Sequence, residues 1–171
     1  MITTATTITT TTTTSSTATI STTSTTMTTT TTTAVQALSL LATVTASNFY
    51  TGVGTATAQG DALVDRSQTG AFSSGNFAPQ YVQLEFPGVY SICNVCLRVG
   101  QYPDGVTQHE ISVGANVSSL QVVSNLTGYT YNTQWLNITF NPWLSGISFI
   151  RVTTTSSPSW VAWFKFLVYG V

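Results

Sequence analysis

The sequence predicts an all-β protein, a sandwich or barrel, preceded by an extended threonine-rich segment. From about Ala34 onward the chain is rich in Val, Tyr, Phe, Trp and Thr, the residues that fit a pleated, half-buried surface. Its apolar residues recur at every second position in short segments, and no stretch of useful length carries helical periodicity. Clusters of Gly, Pro, Asn and Ser separate these segments. At 171 residues with 42% hydrophobic content, the chain has enough apolar surface for one domain with a real core.

Residues 1–33 form the segment outside that core. The tract is almost wholly Thr and Ser, without charge, and its β-branched side chains favour extended backbone. A hydroxyl-rich tract of this kind suits O-linked sugar, so Thr3, Thr10, Thr14, Thr22 and Thr30 are candidate acceptors. The domain is expected over residues 34–171. Ala34–Ser47 reads as its first strand; it has the length of a signal-peptide core, but Gln36 and Ser39 interrupt it and it is too short to span a bilayer as a helix. A basic, apolar leader does not follow Met1, so a signal peptide was removed upstream or the export route is not visible.

Further strands are expected at Gln80–Phe86, Val89–Val99, Thr107–Val113, Leu120–Val123, Trp135–Phe140, Ser148–Thr153 and Val161–Tyr169. Turns are expected at Phe86-Pro-Gly-Val89, Tyr102-Pro-Asp-Gly105, Asn141-Pro-Trp143 and Ser156-Ser-Pro-Ser159. Cys93 and Cys96 sit as Cys-Asn-Val-Cys within one strand-like run. If Ile92, Val95, Leu97 and Val99 all face the core, one extra residue lies between the first two, the signature of a bulge. A bulge would let both sulfurs approach on one side, so a local disulfide is the preferred reading and two buried free thiols the alternative. With one histidine in the chain, His109, a zinc site lacks ligands, and no metal is expected.

Only 5% of residues are charged, and Arg66, Arg98, Arg151 and Lys165 are scattered singly. That excludes a nucleic-acid footprint and a polybasic membrane anchor. Solubility must come from another source, and attached sugar is the obvious one. Three sequons, at Asn116, Asn125 and Asn137, agree with an extracellular or cell-surface glycoprotein. Asn125 is expected before an exposed Gly-Tyr turn, and Asn137 on the outward side of a strand. Enzyme function is not expected, because five dispersed acids and one histidine offer no nucleophile–base pair and no facing carboxylates.

The run Asp61-Ala-Leu-Val-Asp-Arg-Ser-Gln-Thr69, then Phe72-Ser-Ser-Gly75, Ala78-Pro-Gln-Tyr-Val-Gln-Leu-Glu-Phe86 and Val89-Tyr-Ser-Ile92, resembles the discoidin or coagulation-factor type C domain. Leu40–Ser47 is similar to its opening segment, Phe149-Ile-Arg-Val152 to a late strand and Trp160–Gly170 to the closing strand. The resemblance covers about residues 38–171 and implies an eight-stranded, jelly-roll-like sandwich, also called galactose-binding-like, whose end loops bind glycans, lipids or proteins. Many members hold a structural calcium beside an Asp-Gly turn. Asp65 and Thr69 fall near those positions, but the family's Gly is Arg66 here and its late Glu is Lys165. An ammonium opposes calcium, so Lys165 is expected to pair with Asp65 and calcium is disfavoured.

Sugar binding needs an aromatic platform and a few aimed polar groups. Candidates are Asn76, Phe77, Tyr102, Asp104, His109 with Glu110, and Trp160. His109, alternating with Ile111 and Val113, is placed on the outward face as either a solvated residue or a ligand. The resemblance implies that Trp160 and Trp163 pack in the core and that Arg151 bonds turn carbonyls. The Thr tract ranks the functions: its backbone groups are unspent, and about thirty extended residues reach roughly 100 Å. The first expectation is therefore a structural subunit of an extracellular glycosylated fibre, self-assembling through the tail. The alternative is a glycan-binding or adhesive module on a mucin-like stalk.

Overall fold

The computed structural model describes residues 33–67 and 70–171. The candidate O-glycan sites Thr3, Thr10, Thr14, Thr22 and Thr30, and Thr69, lie outside the described residues. The elements in order are β1 (Gln36–Ala37), β2 (Thr43–Ala46), α1 (Ala56–Leu63), β3 (Phe72–Ser73), β4 (Gln80–Gly100), β5 (Gly105–Gly114), β6 (Gln121–Thr130), β7 (Trp135–Ser156) and β8 (Ala162–Gly170). All strand pairings are antiparallel.

Two long strands make the sandwich. The first part of β4, Gln80 to Glu85, pairs with the last part of β7 and with β2; β7 continues through β5 to the edge strand β6. The second part of β4, Tyr90 to Arg98, pairs with the first part of β7 and with β8, which carries β1 and β3 on its other edge. Register shifts between Glu85 and Asn94 mark where β4 bends from one layer to the other. Phe86-Pro-Gly-Val89 and Asn141-Pro-Trp143, expected as turns, therefore lie inside strands, because bulges absorb the prolines without ending the pairing.

Val82 and Leu84 from one layer meet Ile92, Val95, Leu97 and Val99 from the other in a single core with Ile150, Val152, Trp163, Phe166 and Val168. Fully burying each such side chain contributes about 1.5–3 kcal/mol. Gly170 is required at the close of β8, where a Cβ would run into the Ser91 carbonyl.

Three local expectations change. The first strand splits into β1, a 3-10 turn at Leu38–Leu41, and β2. Helix α1 escapes periodicity because it spans barely two turns and contains Gly60; Thr55 caps it by accepting from the Ala58 N–H at 3.2 Å. Gly128 and Tyr129 lie within β6 rather than in a turn.

Candidate functional site

At one end of the sandwich, the end of β4, the start of β8 and the loops flanking β4, β7 and β8 enclose an open groove of about 460 Å³. Its walls carry three exposed aromatic side chains: Phe77 at 59%, Tyr102 at 87% and Trp160 at 47% exposure. Phe164, one residue into the groove from the core residue Trp163, lines its floor. Trp160 stands edge-on to Tyr50, with ring centroids 5.9 Å apart, which fixes its plane while leaving a face open.

A buried amide holds the loops in place. Gln101, only 3% exposed, donates from Nε2 to the Pro103 carbonyl at 2.9 Å and accepts from Ser157 Oγ at 3.2 Å. Its backbone N–H donates to Asn132 Oδ1 at 3.2 Å. Ser157 Oγ in turn accepts from the Ser159 N–H at 3.2 Å, setting the backbone that presents Trp160. Asp104 Oδ1 accepts from the Asn132 N–H at 3.1 Å, tying the Tyr102–Gly105 turn to the loop before β7. Asn132 lines the groove, and its amide nitrogen donates to no other described residue.

Of the candidate ligand-binding residues, Phe77 and Tyr102 line the groove, and Asp104 braces it from behind. Asn76 is exposed beside Phe77, its carbonyl bonded to the Val161 N–H at 2.9 Å. Trp160 corrects the core expectation, because it precedes β8 and escapes the strand's alternation; Trp163, within β8, is fully buried as expected. Gln101, Asn132 and Phe164 are groove residues that sequence reasoning misses. A lone amide after a strand carries no sequence signal, and Phe164 sits at a register shift that breaks alternation.

His109 is not in the groove. It is 3% exposed, with Nδ1 2.8 Å from Thr154 Oγ1 and Nε2 without a partner among the described residues, and burial lowers its pKa from 6.5 to about 4. Period two places it on the face of Ile111 and Val113, and those apolar neighbours take the core, so the outward reading is reversed. Arg151 also differs: Nε and Nη2 donate to Gln83 Oε1 at 3.1 and 2.7 Å, not to turn carbonyls.

The bulge between Ile92 and Val95 is present, with all four flanking apolar residues buried, yet Cys93 and Cys96 are free thiols. The bulge turns them to different acceptors: Cys93 Sγ donates to the Tyr169 carbonyl at 3.4 Å, Cys96 Sγ to Asn94 Oδ1 at 3.0 Å. Asn116, Asn125 and Asn137 are all exposed.

The place where the resemblance implied calcium does not fit one. Lys165 Nζ lies 2.9 Å from Asp65 Oδ1 and donates to the Ala62 and Ser67 carbonyls at 2.7 and 3.2 Å. These are oxygens a cation would need, and an ammonium already takes them.

No family model and no curated protein sequence matches the chain. Solved structures do match. The family 32 carbohydrate-binding module of Clostridium perfringens NanJ, in complex with galactose, aligns with a TM-score of 0.64 at 14% identity over 80% of this chain and 99% of that one. Chitosan-binding module 1 of a Paenibacillus sp. IK-5 chitosanase/glucanase aligns at 0.61 with 22% identity over 79% and 99%. The family 32 module of AlyQ, in complex with 4,5-unsaturated mannuronic acid, aligns at 0.59 with 18% identity over 74% and 92%. Together with the sandwich built on β4 and β7, these likenesses show that residues 33–171 have the discoidin, or galactose-binding-like, fold shared by family 32 carbohydrate-binding modules.

Proposed function

We propose that the chain is a glycan-binding module of an extracellular glycoprotein, and that it binds sugar in the groove of Phe77, Tyr102 and Trp160. The observation that carries this reading is the groove itself: three exposed aromatic rings beside the Asn132 amide, on loops pinned by buried Gln101. Sugar rings present apolar C–H faces that suit an aromatic platform and hydroxyls that suit an amide. The matched modules whose structures hold galactose and unsaturated mannuronic acid support it. Three exposed sequons and the scarcity of charge support the extracellular setting.

On this reading the role is binding, with Asp104 tying the Tyr102–Gly105 turn to the Asn132 backbone behind the groove. The fibre reading depends on the Thr tract, which lies outside the described residues, and no observation on residues 33–171 favours it over the groove. A glycan array probed with the wild-type chain and with Trp160→Ala tests the proposal. The wild type should bind a restricted set of oligosaccharides, and the variant should lose about tenfold or more in affinity for them. Equal binding by both, or binding by neither, overturns it.

A further inference from the structure

Three of the four cationic side chains are committed within the fold. Arg66 Nε lies 2.8 Å from Asp61 Oδ1, Lys165 Nζ lies 2.9 Å from Asp65 Oδ1, and Arg151 holds Gln83 with its guanidinium 4.3 Å over the Tyr81 ring. Arg98 differs. The described residues include all five acids of the sequence, and none pairs with it. Its hydrogen bond is from Nε to the Thr133 carbonyl at 3.2 Å, which leaves Nη1 and Nη2 without an acceptor among the described residues.

The guanidinium is nevertheless held in place. Its carbon lies 5.4 Å from the Phe164 ring and 6.0 Å from the Trp135 ring, so two aromatic faces and the Thr133 carbonyl restrain it. Phe164 is also a wall of the groove, and Arg98 precedes the groove residue Gly100 by two positions on the same side of β4, about 7 Å away. An unpaired, oriented cation therefore stands at the rim of the candidate sugar site.

We propose that Arg98 is an anion-reading subsite of the groove, recognising the carboxylate of an acidic sugar in the bound glycan. The inference rests on the glycan-binding reading and specifies its ligand class. With Nε engaged, Nη1 and Nη2 remain as an end-on pair of donors, a pair that can bond both oxygens of a planar carboxylate. The flanking rings exclude water from one side, which strengthens the pair relative to one on open surface. Trp135, 44% exposed, extends the aromatic platform past the guanidinium, so a glycan of more than one unit has apolar surface on both sides of the charge.

Calorimetry on the full chain with matched probes tests this. The pairs are oligogalacturonate against its methyl ester and sialyllactose against lactose; the first isolates a uronate, the second a sialate. In at least one pair the acidic member should bind about tenfold more tightly, and Arg98→Gln should abolish that preference without weakening the neutral member. Arg98→Lys, which keeps the charge and loses the fork, should retain only part of it. An unchanged melting temperature shows that both variants are folded. If the neutral member binds as well as the acidic one, or Arg98→Gln leaves the preference intact, the subsite is overturned while the groove stands. If all four probes fail to bind wild type, the subsite is overturned, and the glycan array decides the groove reading separately.

Discussion

Trp160 and Trp163 are three residues apart, yet one stands 47% exposed on the groove and the other is wholly enclosed. The same contrast runs through other pairs. Asn132 keeps an amide nitrogen free at the groove, while His109 is sealed between β6 and β7; Arg98 keeps its terminal donors, while Lys165 gives its ammonium to the 62–67 turn. Residue type does not separate the two sets. What separates them is whether the fold encloses the side chain or leaves it open to solvent, and the groove is where it leaves it open.

The sharpest way to break this contrast is to truncate both tryptophans. Trp163→Ala should lower unfolding stability by about 3–5 kcal/mol, because it leaves a cavity beside Phe72, whose ring centroid is 6.2 Å away. Trp160→Ala should cost under about 1 kcal/mol, since its ring already meets solvent. Denaturant titration of the two variants checks this; similar losses would mean that Trp160 is scaffold and not platform.

The second test concerns His109, whose pKa in the fold is lowered by burial to about 4 from 6.5. Between those values the unfolded chain binds the proton and the folded chain does not. Stability contributed by neutral His109 is therefore full above pH 6.5 and declines as pH falls toward 4, by about 3 kcal/mol in all. His109→Gln, which can keep a bond to Thr154, should remove that part of the slope. Parallel pH profiles for wild type and variant would show that the imidazole titrates as a solvated group and belongs with the groove residues after all.

These pairs also show how much was legible in the chain. Alternation located the cores of β4, β5 and β8, and the crowding of Ile92 and Val95 located a bulge, because a buried face imposes period two and one extra residue breaks it visibly. Alternation also contained the correct face for His109, whose apolar partners Ile111 and Val113 share its phase; polarity alone argued the other way. Phe77 and Tyr102 were readable as loop aromatics. Gln101, Asn132 and Arg98 were not, because their roles depend on pairings between residues about thirty or more positions apart, such as Gln101 with Asn132 and Arg98 with Thr133. The thiols of Cys93 and Cys96 were close in sequence and still took separate acceptors, since side-chain direction at a bulge is set by the neighbouring strand.

The smallest effect is expected at the Lys165 turn, the committed counterpart of Arg98. Asp65 sits there in a left-handed conformation, φ 68°, and the ammonium joins its carboxylate to the Ala62 and Ser67 carbonyls. The Lys165 side chain is 13% exposed and Asp65 44%, so the two halves of the pair should differ in cost. Lys165→Met keeps the apolar stem and removes the donors, and should cost about 2 kcal/mol through the carbonyls and carboxylate left without the cation. Asp65→Asn should cost under about 1 kcal/mol, because water already screens that carboxylate and the carbonyl contacts survive. Calcium added to the wild type should leave its melting temperature unchanged, the ammonium having taken the oxygens a metal would need. A calcium-dependent rise would mean that the lysine yields its place, and that this turn, like the groove, still has unsatisfied groups for a ligand.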